Sequence, residues 1–440
     1  MLKVAKFGGS SMADAVQFAK VKAIVESDPA RRVIVVSAPG KRDKEDHKVT
    51  DLLYLCSAHL KYGVSCEKIF ALIRKRYQEI ADDCGLTLDL NREFDALWKR
   101  MCAGEADQEY LASRGEYFAA RLMAEYLGYT FLDAALWLQF RFDGTVDQEA
   151  SYEALRKAAD GQRVVIPGFY GSMPDGRVVT LTRGGSDITG ALAAAALDAD
   201  VYENWTDVSG ILMADPRIVE NPAPIRRVTY SELRELSYLG AQVLHEGTVF
   251  PVREKNIPLN IRNTNDPAHD GTMILSSIDD ETQDDSFITG IAGKKNFSVI
   301  SIEKDRMNSN KGFLRRLLQV LENHGIFPEH MPTGIDTVSV IVNTSELDGQ
   351  REKLTERLIE VVKPDHFEII DGLALIAVVG RGMRSVKGIA TRVFAALSHA
   401  NINIRMIDQG SSELNIIVGI EAADFEKAIQ VIYNMFMLSE

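Results

Sequence analysis

The nine residues KVAKFGGSS, positions 3–11, constrain this chain more than any other stretch. Val4, Ala5 and Phe7 read as a short buried strand, and Gly8-Gly9-Ser10-Ser11 reads as a turn. Residues 14–25 then place Phe18, Val21, Ile24 and Val25 at helical spacing. A strand that breaks at paired glycines and enters a helix presents backbone N–H groups where a phosphate can sit. Lys6, just before the glycines, adds a positive charge to the same place. The spacing is not that of GxxxxGK[ST], so a P-loop NTPase is not implied, and a plain tight turn would satisfy the same residues.

A second β-branched run, Val33-Ile34-Val35-Val36, ends in Ser37-Ala38-Pro39-Gly40. With the first unit it makes strand–helix–strand, the start of a parallel α/β sheet. Ligands of such sheets gather at the carboxyl ends of the strands, which is where both Gly8 and Ser37 fall. Residues 41–48 form a charged loop, and 50–101 is largely helical, a pattern suited to a lid or a dimer face.

Glu116 follows Ser113-Arg114-Gly115 and sits just inside a helix expected over 117–127. Ser113 and Glu116 have the capping-box spacing, which would make Glu116 purely structural. Residues 131–133 and 163–171 read as further strands. The stretch VVTLTRGGSD, 178–187, is a strand end and glycine turn before an Ala-rich helix expected over 188–197. Arg183 and Asp187 flank that turn; an arginine there can grip a carboxylate or phosphate, and an aspartate can orient a lysine or a metal. After a strand at 201–205, Thr206, Asp207 and Arg217 suit a nucleotide. A helix at 230–239 and a strand at 259–262 close this domain, and 266–285, rich in Asp, Pro, Gly, Ser and Thr, reads as a linker.

With 440 residues, 46% apolar and 26% charged, the chain is long enough for two or three domains. It has no run of eighteen apolar residues and no secretory signal, so a cytoplasmic protein with no membrane partner is expected. A net charge of −13 spread along the chain argues against a nucleic-acid surface. Cys56, Cys66, Cys84 and Cys102 match no zinc pattern and read as reduced and buried. No metal-ligating residues are expected from these or from His245, His330 and His399.

The last third changes character. Strands at 297–303 and 337–343 alternate with helices at 312–323 and 351–362. The pattern recurs 76 residues later: Gly312 maps to Gly388, Arg316 to Arg392, Leu321 to Leu397 and Ile326 to Ile402. Two copies of a βαββαβ module follow from this.

KFGGSS, VVSA, VTDLL, SRGE, GFYG, TRGGSD and WTDVSGI, in this order and followed by tandem ACT-like repeats, resemble the aspartate kinase family over nearly the whole chain. The resemblance implies an α/β amino-acid-kinase fold over 1–265, a parallel-rich sheet with helices on both faces. Behind the linker 266–285 it implies tandem ferredoxin-like ACT domains over 286–440. The first copy spans about 297–372, and the second 373–440 plus 286–293.

It also implies the roles of particular residues. Lys6, Phe7, Gly8, Gly9 and Ser10 match the phosphate-binding turn, with Lys6 stabilising the transferred phosphoryl group and Asp187 organising Lys6. Thr50, Glu116, Phe169, Arg183 and Ser186 match substrate positions, with Glu116 meeting the amino group of aspartate and Arg183 its α-carboxylate. Thr206, Asp207 and Arg217 match nucleotide contacts. Met307, Asn310, Gly312, Phe313, Leu314, Phe327 and Glu329 match an effector pocket of lysine-inhibited members, although Phe313 and Leu314 also fit ordinary core positions. Two departures stand out: Leu212 where the family often has Tyr, and Gln242 in GAQVLHE where it has Lys. ATP, Mg²⁺, L-aspartate and an end-product amino acid, lysine before threonine, are the implied ligands. The implied assembly is a homodimer or homotetramer joined through the ACT domains, and the implied reaction is the first step of lysine, threonine and methionine synthesis. A kinase of another amino acid, or an amino-acid sensor with a degenerate kinase domain, is the alternative.

Overall fold

A computed structural model describes residues 1–181, 184–240, 246–278, 288–384 and 386–437. The chain divides into two compact units, one of 1–211, 224–230 and 243–278, the other of 212–223, 231–242 and 279–440.

The first unit is built on an eight-stranded sheet. Its order is Arg227–Thr229, Thr272–Leu275, Leu259–Asn263, Val201–Thr206, Lys3–Phe7, Arg31–Val36, Val164–Pro167 and Thr130–Phe131. From Leu259–Asn263 to Thr130–Phe131 all neighbours are parallel, while Thr272–Leu275 runs antiparallel to Leu259–Asn263. Runs such as Val33–Val36 and Val164–Ile166 are buried throughout, as strands covered on both faces must be. Along Lys3–Phe7 the side chains alternate. Ala5 and Phe7 join a core with Phe18, Leu53, Tyr77, Phe94, Phe118 and Trp205. The opposite face carries Lys6 and meets the helix Gly185–Ala196.

Several local expectations are corrected here. The helical region holds Val49–Lys61, Glu67–Asp83 and Leu90–Cys102, whose inner faces belong to the sheet's own core and not only to a lid. The helix bearing Glu116 begins at Gln108, where Asp107 accepts from the Tyr110 amide, so Ser113 and Glu116 lie mid-helix and form no capping box. Gly115 does not mark a helix start. A Cβ there would lie 2.8 Å from that of Ala38, so glycine permits close packing. Val178–Thr180 is not a strand of the main sheet but pairs with Tyr170–Ser172 as a hairpin. The segment 266–285 contains the strand Thr272–Leu275, with Thr272 and Ile274 buried. Most of the helix Tyr230–Tyr238 belongs to the second unit, where buried Glu232 accepts from Thr289 Oγ1 at 2.5 Å and from the Arg381 amide at 3.1 Å.

The second unit carries a five-stranded antiparallel sheet ordered Thr337–Asn343, Gly290–Glu303, His366–Val379, Asn415–Glu421 and Ile404–Asp408. The repeat is visible in its helices. Phe313–Asn323 and Ile389–His399 each start after a left-handed glycine, Gly312 (φ 79°) and Gly388 (φ 92°). The two copies share their longest strands. In Gly290–Glu303, the first residues pair with 375–379 and residues 297–303 pair with 366–373. Where the second copy has Ile404–Asp408, the first shows the bridges His330–Ile341 and Thr333–Val338.

Candidate active site

The carboxyl ends of four parallel strands are tied together by backbone bonds. The Gly8 amide donates to Trp205 O at 3.0 Å, Ser37 to Phe7 O at 3.2 Å and Gly168 to Val36 O at 2.9 Å. The Gly40 amide donates to Gly9 O at 2.8 Å, so the turns after the first two strands abut. Ser10 lies in the single 3₁₀ turn Gly9–Met12 that follows.

Lys6 is buried beneath this turn and forms an ion pair with Asp187 Oδ1, from the first turn of Gly185–Ala196. Asn204, on the neighbouring strand, lies 3.5 Å from Lys6 Nζ through Oδ1 and donates through Nδ2 to Asp187 Oδ1 at 3.1 Å. The Tyr202 hydroxyl donates to the Asp187 carbonyl at 2.9 Å. Neither Tyr202 nor Asn204 was expected from sequence reasoning. The available signal was a polar pair, Glu203 and Asn204, inside the central strand VYENWT.

Glu116 is 5% exposed and accepts the Ala38 amide. Burial pushes its carboxyl up to about 8, against the lowering effect of the Ala38 and Glu116 amides and of Arg114. Among the described residues its Oε2 is buried without a hydrogen-bond partner. Thr50 is in the first turn of Val49–Lys61, whose Val49 amide donates to Pro39 O at 3.1 Å. Phe169 sits in the left-handed region at φ 78°, its amide held by Thr189 Oγ1 at 3.0 Å. Ser186 is buried where Gly168 approaches it: a Cβ on Gly168 would lie 2.6 Å from that of Ser186. Thr206 ends its strand and donates to exposed Asp207 at 3.2 Å. Arg183 and Gln242 lie outside the described residues.

Comparison with known proteins bears directly on this arrangement. The amino acid kinase family profile matches residues 1–263, and an ACT domain profile matches 376–436. Aspartokinase 3 of Bacillus subtilis is 39% identical over 99% of this chain and 98% of its own length. The chain belongs to the aspartokinase family. The crystal structure of Clostridium acetobutylicum aspartate kinase superposes with a TM-score of 0.89 at 51% identity, covering 99% of both chains. Escherichia coli aspartokinase III, solved with aspartate and ADP, superposes at 0.74 with 27% identity over 99% of this chain and 100% of its own. The same enzyme solved with lysine and aspartate gives 0.73, with 99% of both chains covered. Membership makes this chain an ATP-dependent kinase.

The remaining candidates lie in the second unit. Arg217 is exposed and pairs with Asp215 at 2.6 Å, and Leu212 is partly exposed. Met307 and Phe313 are core residues, linked to Asn310 by backbone bonds of 3.0 and 3.1 Å. Asn310 Oδ1 accepts from Arg316 at 2.9 Å. Leu314, one residue past buried Phe313, is exposed, so the core reading fits Phe313 and not Leu314. Phe327 is also exposed, and Glu329 accepts a short bond from the Tyr238 hydroxyl. Among the cysteines, Cys56 and Cys66 are buried and hydrogen-bonded, with burial pushing Cys56 up to about 12. Cys84 is half-buried and Cys102 exposed, so the expectation of four buried thiols holds for two. Among the described residues no group of three or more His, Cys, Asp or Glu is placed to hold a metal, and no helix is long and apolar enough to cross a membrane.

Proposed function

We propose that this kinase transfers the γ-phosphate of ATP to the β-carboxylate of L-aspartate, under feedback by an end-product amino acid bound in the ACT unit. One observation carries the reading: Lys6 is buried near the end of its strand and paired with Asp187, while buried Glu116 accepts the Ala38 amide just past the end of the neighbouring strand and, among the described residues, its Oε2 has no partner. The first pair suits a phosphoryl group, and the second suits a substrate ammonium.

The nucleophile supplies its own reactivity. A β-carboxylate with a pKa of about 3.9 is ionised near neutral pH and needs no general base. The work left to the protein is positioning and charge neutralisation. Lys6 and the amides of the Gly8–Ser10 turn face the charge on the phosphates, while Glu116 and Thr50 hold the amino acid. A Mg²⁺ ion would arrive with the nucleotide, exposed Asp207 offering it a carboxylate while phosphate oxygens and water fill the rest of its shell.

Lysine is the preferred effector, supported by the lysine complex of the E. coli relative and by Glu329, a carboxylate that can meet an ε-ammonium. Assembly as a homodimer or homotetramer through the ACT units, in the cytoplasm, completes the proposal. The test is ADP release with L-aspartate against L-glutamate, with and without lysine or threonine. Aspartate turnover suppressed by lysine supports the whole reading. Threonine suppression reassigns the effector, and absence of turnover with both acids, with amino-acid binding intact, favours the sensor.

A further inference from the structure

The polar contacts of Asp187 come from two sides. Lys6 lies on one strand, and Tyr202 and Asn204 lie on its parallel neighbour, where Asn204 is in register with Lys6. Tyr202 fixes the backbone of Asp187 through its carbonyl, and its ring packs where a Cβ on Gly190 would come within 2.5 Å of the hydroxyl. Asn204 fixes the side chain. It is 4% exposed, and its amide is oriented so that the oxygen faces the Lys6 ammonium and the NH₂ faces the Asp187 carboxylate.

Only a group with both a donor and an acceptor satisfies both neighbours at once. A leucine in its place would leave Asp187 with one bond fewer and let the Lys6 side chain swing. An aspartate would set a second carboxylate against Asp187 and draw Lys6 toward the protein and away from a phosphate. We infer that Asn204 is a positioning residue of this kinase: it fixes Lys6 and Asp187 in the geometry needed for phosphoryl transfer without itself touching substrate. The inference rests on the proposed reaction, in which Lys6 acts on the transferred group.

Its energetic consequence lies in the transition state. The distance between Lys6 and the phosphoryl oxygens matters most as charge redistributes, so loosening Lys6 lowers kcat more than it raises KM. The isosteric change Asn204→Asp adds a pH signature. Two neighbouring carboxylates cannot both ionise freely, so one takes up a proton at a raised pKa. In the protonated form that side chain again offers a donor and an acceptor, as the asparagine does.

The experiment uses the full-length chain with ATP, Mg²⁺ and L-aspartate. Asn204→Leu is expected to lower kcat at least tenfold, with KM for aspartate within threefold of the parent. Asn204→Asp is expected to show a kcat that falls as pH rises through a new titration absent from the parent. Thermal unfolding of both variants reports folding separately. Should Asn204→Leu not fold, the pH profile of Asn204→Asp decides alone. A parent enzyme with aspartate turnover, an Asn204→Leu kcat within twofold and an unaltered Asn204→Asp profile would overturn the inference. A parent with no turnover overturns the kinase reading instead.

Discussion

Gly40 and Gly9 pack so closely that a Cβ on Gly40 would lie 2.7 Å from the Gly9 carbonyl oxygen and 2.9 Å from the Ser10 nitrogen. Both obstacles are backbone, so neither can swing aside. The turn after the second strand therefore supports the turn proposed to cradle phosphate. Gly40→Ala should displace Gly9 and Ser10, raising KM for ATP at least tenfold while leaving most of the secondary structure intact. Initial-rate kinetics at varied ATP, beside circular dichroism, measure this; a KM unchanged within twofold would separate the Gly40 contact from nucleotide binding.

Lys6 is buried with its ammonium committed to Asp187 and Asn204, and on the proposed mechanism it meets charge on the transferred group. Lys6→Ala should lower kcat by about 10²–10³-fold, the cost of ~2.7–4 kcal/mol seen when one preorganised donor is removed. Lys6→Arg should recover little, because a planar fork does not fit the place of a compact ammonium. Near-normal kcat in Lys6→Ala would refute the mechanism.

The first turn was legible because its signals are contiguous: apolar strand, paired glycines and periodic helix occupy one short stretch. Glu116 was legible as a residue but not in its setting. Gly115 looks like a helix breaker until the approach of Ala38, set by tertiary packing, supplies its reason. The strand Thr272–Leu275 disappeared into a segment whose Asp, Gly and Ser content outweighs the four residues TMIL. Asn204 depends on partners that lie far from it in sequence, and no local pattern predicts which polar group in a strand finds an ion pair. Nor could one cut in the chain divide the units, because 212–223 and 231–242 leave the first unit and pack with the second.

A second buried ion pair serves the fold. Arg31 meets Glu203 through Nε–Oε2 at 2.7 Å and Nη2–Oε1 at 3.2 Å. The Trp205 indole donates to Oε2 at 2.8 Å, and Lys3 lies 3.2 Å from Oε1. Burial alone would raise the Glu203 carboxyl, but its bonds to Arg31, Trp205 and Lys3 hold it below the usual range. Glu203→Gln leaves Arg31 buried without its charge partner and should cost ~3–5 kcal/mol, whereas Arg31→Met with Glu203→Leu should cost less. Urea unfolding of the three proteins tests the ordering. Because the folded value of Glu203 is depressed, its contribution is present above the unfolded carboxylate range and is lost as pH falls through the folded one.

Glu116 gives the opposite sign. Its folded value of about 8 stands above the ordinary 4.5, so between these pH values the empty protein holds a proton that the unfolded chain has released. Stability should therefore fall as pH rises across that window, by roughly 1.4 kcal/mol for each pH step of one, and Glu116→Gln should remove the fall. Substrate binding couples to the same proton. An ammonium pairs with the carboxylate and not with the neutral acid, so aspartate binding at pH 6–7 must expel the proton first. KM for aspartate should drop as pH rises from 6 toward 8 and then level off, while Glu116→Gln should show a high KM nearly independent of pH in that range. Aspartate kinetics at fixed saturating ATP across pH 6–8.5 provide the measurement. A parent KM flat with pH would place the ammonium elsewhere and leave Glu116 a buried acid of the helix Gln108–Leu127 alone.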